Sequence, residues 1–274
     1  MSNIVDPSQF YSGLVAGLYE ALAADLADPE TSKRFVSKYG TPALELACGT
    51  GHPMLDLIES GLEVHGLDSS QDMLNLCLEN ARVRGLRPIV FCQRMQDLNV
   101  GYRYKSCYLA GESFCLIDQI GDAQQAINAV FRHLEPGGHF LIPVFRPELV
   151  DQPSSKRTAT HADETVVSVQ SVSQTEDIEK QVVKTQLVFE IEKSGVIIDT
   201  IQRDWIIRWY TIEQLTDMLC DAGFEIERTA GHDGKTVESL ETNFVAIARK
   251  PCTQRIEFAE DHADEQGGKG GRTR

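Results

Sequence analysis

No stretch of this chain approaches the roughly 20 consecutive apolar residues that a membrane-spanning helix needs, and aromatic residues make up only 7% of it. Basic charge is also scarce. Against 41 Asp and Glu stand 26 Lys and Arg, for a net charge of −15, and no basic cluster interrupts the acidic balance, so a nucleic-acid partner is not expected. The opening MSNIVDPSQFYSGL lacks a basic leader and an apolar secretory core, which makes the cytoplasm the expected compartment. CxxC pairs are missing too. The seven cysteines are an odd number, and Cys48, Cys77, Cys92, Cys107 and Cys115 sit in apolar or motif-like runs; they read as reduced, packed thiols, with neither disulfides nor a metal site expected.

What is present is the composition of a globular protein, 42% hydrophobic over 274 residues, enough for a core domain with an appendage. Residues 10–39 carry Leu14, Leu18, Leu22, Leu26, Phe35 and Val36 at helical spacing with a break at Asp28-Pro29, which predicts two helices in an N-terminal cap, 1–39. From residue 43 strands near 43–47, 62–67, 88–92, 104–109 and 138–145 alternate with helices near 52–60, 70–84 and 121–134. That rhythm predicts a mostly parallel sheet with right-handed crossovers. After Pro147 the period changes: TVVSVQSVS, QVVKTQLVFEIE and GVIIDTIQRDWIIRWY are β-branched runs between polar turns, an antiparallel insertion. A helix then runs from Thr211 as N-cap to Gly223 as stop, followed by strands in FEIERTAG and NFVAIARK. The expected fold is α/β, Rossmann-like, with seven strands, flanking helices and an antiparallel β insertion after the fifth strand. The expected units are a core of 40–147 and 208–250, a lid of 148–207 and a flexible tail of 251–274.

The chemistry is concentrated in LELACGTGHPMLDLIESGLEVHGLDSS, residues 44–70. A strand that surfaces into small residues lets the next loop approach a ligand closely, and Gly49 and Gly51 remove the β-carbons there. Asp68, 17 positions after Gly51, stands at the tip of the next strand, where a carboxylate accepts hydrogen bonds from both hydroxyls of a ribose. A dinucleotide site wants a third glycine three positions after the second, and Met54 occupies that place. With no diphosphate to bind, a strand acid such as Glu45 makes sense beside a cationic, phosphate-free nucleoside.

LELACGTGHP, GLEVHGLDSSQDML and HLEPGGHFLI resemble the successive motifs of class I S-adenosylmethionine-dependent methyltransferases, over roughly residues 40–250. The β-rich insertion and IIRWYTIEQLTDMLCDAGF are similar to small-molecule N-methyltransferases of the amino-sugar and glycine type. The resemblance implies S-adenosylmethionine as cofactor, with Glu45, Ala47, Gly49 and Gly51 along its methionine part, Asp68 on the ribose and Ser69 with Met73 at the adenine. Ala110 opens the loop where methyl group and acceptor would meet. Tyr11 and Tyr19 of the cap would close over the cofactor.

The pattern also departs from the family. An acidic residue that accepts a hydrogen bond from the adenine amino group is usual after the third strand, yet Arg94 stands there and has no acceptor; either Gln93 or Gln96 takes the role, the backbone of Met95 suffices, or the adenine site is altered, with Met95 and Gln96 the expected pair. For catalysis, a neutral amine acceptor needs only alignment and desolvation, whereas a hydroxyl profits from a base. The catalytic residues stay unassigned, with Glu112, His161, Arg208 and Tyr210 as candidates. The expected function is methyl transfer to a nitrogen, or an oxygen, of a small metabolite, with a homodimer left open and neither nucleic acid nor membrane as partner. A nicotinamide-dependent oxidoreductase and a catalytically inactive nucleoside-binding protein are the alternatives.

Overall fold

The run ALEL becomes strand β1 (Ala43–Leu46), buried at every position, because a parallel strand covered by helices meets water on neither face. Its side chains alternate between two cores. Leu44 and Leu46 point into the larger one, and Ala43 into the other. The computed structural model describes residues 10–13, 15–16, 29–150, 154, 156–160, 165–238 and 241–252. In chain order β2 (Val64–Asp68), β3 (Ile89–Cys92), β4 (Tyr104–Tyr108) and β5 (Leu134–Val144) join β1 in one sheet. Strands β6 (Arg157–Thr160), β7 (Val166–Asp177), β8 (Val182–Lys193) and β9 (Val196–Arg208) make a second, and β10 (Glu225–Ala230) and β11 (Phe244–Arg249) return to the first. The seven-stranded order is β10-β11-β5-β4-β1-β2-β3. Every pairing in it is parallel except the two made by β11, and the four-stranded sheet is antiparallel throughout. The expected Rossmann-like architecture with its antiparallel insertion is thus present.

Helices α1 (Pro29–Tyr39), α2 (Met54–Glu59), α3 (Gln71–Val83), α4 (Ile120–His133) and α5 (Ile212–Asp221) cover the faces. Two of them start as their sequences dictate. Ser70 Oγ accepts the Met73 N–H at 3.2 Å to cap α3. Thr211 and Gln214 form a reciprocal capping box on α5, and Gly223, at φ 98°, ends it. The break at Asp28-Pro29 does open α1; the helix expected before it lies largely outside the described residues.

Three local expectations are revised. EPGG, ahead of the strand expected near 138–145, lies within β5, where Leu134 pairs with Tyr104 and the next pair is His139 with Ser106. The residues between bulge out and are stitched to the end of the neighbouring β11, Gly137 N–H donating to Lys250 O at 2.9 Å and Lys250 N–H to Gly138 O at 2.8 Å. Cys92, read as packed, is exposed because β3 is the sheet's edge. The described part of the N-terminal segment packs on the insertion: Phe10 and Val15 form a small core with Val167, Val169 and Phe189.

Candidate functional site

A cavity of about 340 Å³ opens at the carboxyl ends of β1, β2 and β3, where parallel α/β sheets gather their loops. Its first wall is built from the two strand tips. Ala47 and Gly49 both take left-handed backbone, at φ 53° and 52°, which turns the chain sharply out of the strand and aims the Gly49 N–H at Asp68 Oδ2, 2.9 Å away. Asp68 Oδ1 accepts the Ser70 N–H at 2.8 Å. Burial pushes the Asp68 carboxyl above its usual range, while the N–H groups of Ser70, Gly49 and Ser69 pull it down. Each oxygen keeps further acceptor capacity toward the cavity that Asp68 lines.

The second wall comes from chain far downstream of the glycine loop. The 3₁₀ turn Ser113–Leu116 and the entry to α4 contribute Ser113, Leu116, Ile117, Asp118, Gln119 and Asp122. Gln96 Nε2 reaches Asp122 Oδ2 at 3.4 Å across the cavity rim, and Arg208 Nε donates to Asp118 O at 2.6 Å, tying the end of the insertion to this wall. Tyr11 closes the cavity from above. Its carbonyl accepts the Ser70 hydroxyl at 2.7 Å, and Gly13 N–H donates to Asp72 Oδ2 at 2.6 Å.

Of the residues expected at the cofactor, Tyr11, Ala47, Gly49, Asp68, Ser69, Met73, Met95 and Gln96 line the cavity. The others do not. Glu45 lies beneath it, 1% exposed, accepting a 2.5 Å hydrogen bond from the Tyr108 hydroxyl, with burial raising its pKa to about 8. Gly51, at φ 96°, faces a separate cleft, and a Cβ there would stand 2.8 Å from Leu55 and 2.9 Å from Cys77, so its service is to let α2 and α3 close on the loop. Ala110 packs on the core below, and Tyr19 lies outside the described residues.

The catalytic candidates stand apart from the cavity surface. Glu112 is 3.7 Å from His232 Nδ1 on the exterior. Arg208 touches the cavity wall through its backbone bond, not the cavity itself. Tyr210 is 1% exposed, 5.3 Å from the Phe114 ring centroid, its hydroxyl unpartnered. His161 lies outside the described residues. Among the described residues no histidine lines the cavity. His133 is spent on the backbone, accepting Val100 N–H at 3.2 Å and bonded to Ala129 O at 2.8 Å, and His65 meets Tyr104 Oη at 3.1 Å.

Sequence reasoning passed over Ser70, Asp118, Gln119 and Asp122. Ser70 was findable as an N-cap ahead of an apolar helix, whereas Asp118 and Asp122 carry no local signature. Arg94 lines the cavity and pairs with Asp97 Oδ2 at 2.6 Å, so the carboxylate three residues past the expected acidic position is engaged by that arginine.

Residues 37–214 match a family described as methyltransferase domain. The chain belongs to that family. It is 25% identical over 202 residues to the protein named as methyltransferase YqeM in Bacillus subtilis (strain 168), covering 73% of this chain and 79% of YqeM. It is 29% identical over 154 residues to the dTDP-3-amino-3,6-dideoxy-alpha-D-glucopyranose N,N-dimethyltransferase of Streptomyces fradiae, covering 52% of this chain and 58% of that enzyme. In fold it is similar to the CcbJ methyltransferase of Streptomyces caelestis, with a TM-score of 0.71, 21% identity, and coverage of 90% of this chain and 100% of that one. The activity class read from the motifs, S-adenosylmethionine-dependent methyl transfer, stands, and the nicotinamide reading is set aside.

The cavity fits that cofactor. Asp68 offers a partly satisfied carboxylate where a ribose diol needs one, Gly49 brings the backbone close with no side chain between, and Met73 and Met95 supply apolar, polarisable surface for a purine. The volume falls at the low end of the roughly 300–1,000 Å³ usual for ligand sites. When bound, the cofactor would supply a methyl group on a cationic sulfur. Transfer of that methyl requires the donor to be held in line with an acceptor and water to be kept out; Tyr11 and Asp118 both line the cavity.

Proposed function

We propose that this methyltransferase transfers the methyl group to the nitrogen of a small, amine-bearing metabolite. The observation that carries this reading is the composition of the second wall. Asp118 and Asp122 line the cavity with Ser113 and Gln119, and no histidine stands among the described lining residues. A protonated amine is drawn to two carboxylates, and once it has shed its proton it needs alignment rather than a dedicated base. A hydroxyl acceptor would find no histidine there to take its proton. The curated relative from Streptomyces fradiae is named as an N,N-dimethyltransferase of an amino sugar, which supports the same class.

The acceptor approaches under the lid formed by the N-terminal segment and the insertion, bounded by Tyr11 and the β9 end at Arg208. Tyr11, Ala47, Gly49, Asp68, Ser69, Met73, Met95 and Gln96 hold the cofactor, with Ser70 added to them. The partner proposed for the chain is this small molecule; among the described residues no helix is long and apolar enough to cross a bilayer.

The test is a mass-spectrometric screen of a metabolite library with isotope-labelled S-adenosylmethionine. Gain of a labelled methyl on a primary or secondary amine is expected. Methylation confined to phenols or alcohols would overturn the nitrogen assignment, and binding without turnover on any acceptor would point to an inactive nucleoside-binding protein.

A further inference from the structure

The second sheet has two edges, and they are built differently. Strand β6 is the short stretch RTAT, with no large apolar side chain on it. Strand β9 runs for 13 residues and has a strand neighbour on one side only, β8. Among the described residues its other side presents a row of backbone N–H and C=O groups that no strand pairs. Natural sheets blunt such an edge by keeping it short, charged or broken by proline. β9 opens instead with Val196, Ile197 and Ile198, which are 62%, 52% and 59% exposed.

Two charges on β9 are left without an opposite charge. Asp199 and Arg203 are four positions apart, so strand alternation sets them on one face with Ile201 between them, roughly 13 Å from each other along the strand. Across β8 they stand opposite Ile191 and Leu187, which carry no charge. Among the described residues Asp199 Oδ1 accepts the neighbouring Thr200 N–H at 2.8 Å, and no cationic side chain meets that carboxylate. Arg203 Nη1 reaches only the Gln202 O, at 3.4 Å, and its Nε is buried with no hydrogen-bond partner.

We propose that this edge is where a second copy of the chain docks, the two β9 strands pairing antiparallel about a two-fold axis at Ile201, so that the two four-stranded sheets become one. A two-fold interface has to be self-complementary, and β9 is. Pairing the strand with itself about Ile201 sets Thr200 against Gln202 and Asp199 against Arg203 of the second copy, and the symmetry makes each pair twice. Arg203 Nε is then offered the carboxylate that its own chain does not provide. The registers centred one residue to either side set Asp199 opposite Ile201 or Trp205 instead. The irregularity in the β8 pairing, between Ile191 and Glu192, lies beyond the Asp199–Arg203 segment and leaves it regular. Past that segment the exposed Val196–Ile198 run is carried toward the half-buried Trp205 and Ile206 of the second copy, apolar against apolar. β9 is then held at both ends, by Arg208 on the Asp118 carbonyl at the cavity wall and by the second copy at its start.

The test is the mass of the full chain in solution, by sedimentation velocity and light scattering. The parent protein is expected at twice 30.5 kDa. Asp199→Arg sets arginine against arginine at both pairs, and Arg203→Asp sets acid against acid. Each variant alone is expected to associate about tenfold or more less tightly, with an unchanged circular dichroism spectrum. The double variant restores both pairs and is expected to recover the dimer. So is an equimolar mixture of the two single variants, because the arginines of one then face the acids of the other. Should Arg203→Asp not fold, Asp199→Arg must still lower the mass and Asp199→Glu must keep the dimer. A parent that stays monomeric at every concentration tried would leave the edge to another segment or another protein and would overturn the proposal. A dimer indifferent to the single charge reversals, or one that neither the double variant nor the mixture recovers, would overturn it equally.

Discussion

The two walls of the cavity are made of different material. The first is largely backbone: left-handed turns at Ala47 and Gly49, a carboxylate fixed by N–H groups, and the capped start of α3. The second is made of side chains on a 3₁₀ turn and a helix entry, steadied by Arg208 from the insertion. A backbone wall serves one ligand and tolerates little change, because its hydrogen bonds set its geometry. The side-chain wall can be rewritten residue by residue, which suits the side proposed to face the acceptor.

The largest effect tests what lies under the backbone wall. Burial raises the Glu45 pKa to about 8 in the folded protein, against an ordinary value of 4.5. A carboxyl raised on folding favours the native state when protonated, so its contribution is complete below about pH 4.5 and is lost as pH climbs to about 8. Each tenfold change in proton affinity between the unfolded and folded chain is worth about 1.4 kcal/mol, so Glu45→Gln should stabilise the protein by several kcal/mol at about pH 9 and by little at about pH 5. Thermal midpoints across that range would show it, and a difference that does not vary with pH would refute it.

Next comes the wall's own carboxylate. Asp68→Ala leaves the Gly49 and Ser70 N–H groups without their acceptor and would remove the charge-assisted bond proposed to the ribose. The cost is about 1.5–3 kcal/mol, a fall in S-adenosylmethionine affinity of tenfold or more by calorimetry. Unchanged affinity would move the ribose elsewhere. On the side-chain wall, Arg208→Ala should cost about 1 kcal/mol through the lost bond to Asp118 O, raising KM for the acceptor more than it weakens the cofactor. An equal loss on both would mean that the two walls are not separable. The smallest change is expected for Arg94→Ala. Its pairing with Asp97 is between side chains 44% and 52% exposed, and such pairs contribute about 0–1 kcal/mol. Should cofactor affinity drop tenfold, Arg94 would be a direct cofactor ligand.

The sequence was readable where periodicity and turn chemistry dictate the outcome. Short apolar-rich runs alternating with helical stretches marked the strands, Thr211 and Gly223 bounded α5, and the glycine loop with Asp68 marked the backbone wall, because each signal is local. Glu45 misled for a physical reason: strand alternation sends it to the face beneath the loop, where Tyr108 engages it, and pairing register with β4 cannot be read from β1 alone. Asp118 and Asp122 were invisible on the same grounds. Nothing in LIDQIGD distinguishes a cavity wall from a solvated helix entry until the fold brings it opposite Met95 and Gln96. EPGG illustrates a local turn signal overruled by long-range pairing with Lys250.

Arg146 fixes where the insertion begins. It follows β5, clasps the buried Glu176 of β7 through two bonds of 3.0 and 2.9 Å, and lies 4.4 Å above the Trp209 ring, just where β9 rejoins the core. One guanidinium therefore clamps the outgoing strand, the returning strand and the hairpin between them at a common root. Everything distal to that knot, out to the solvent-facing Val196, Ile197 and Ile198, can be exchanged as a cassette without unpicking the sheet below.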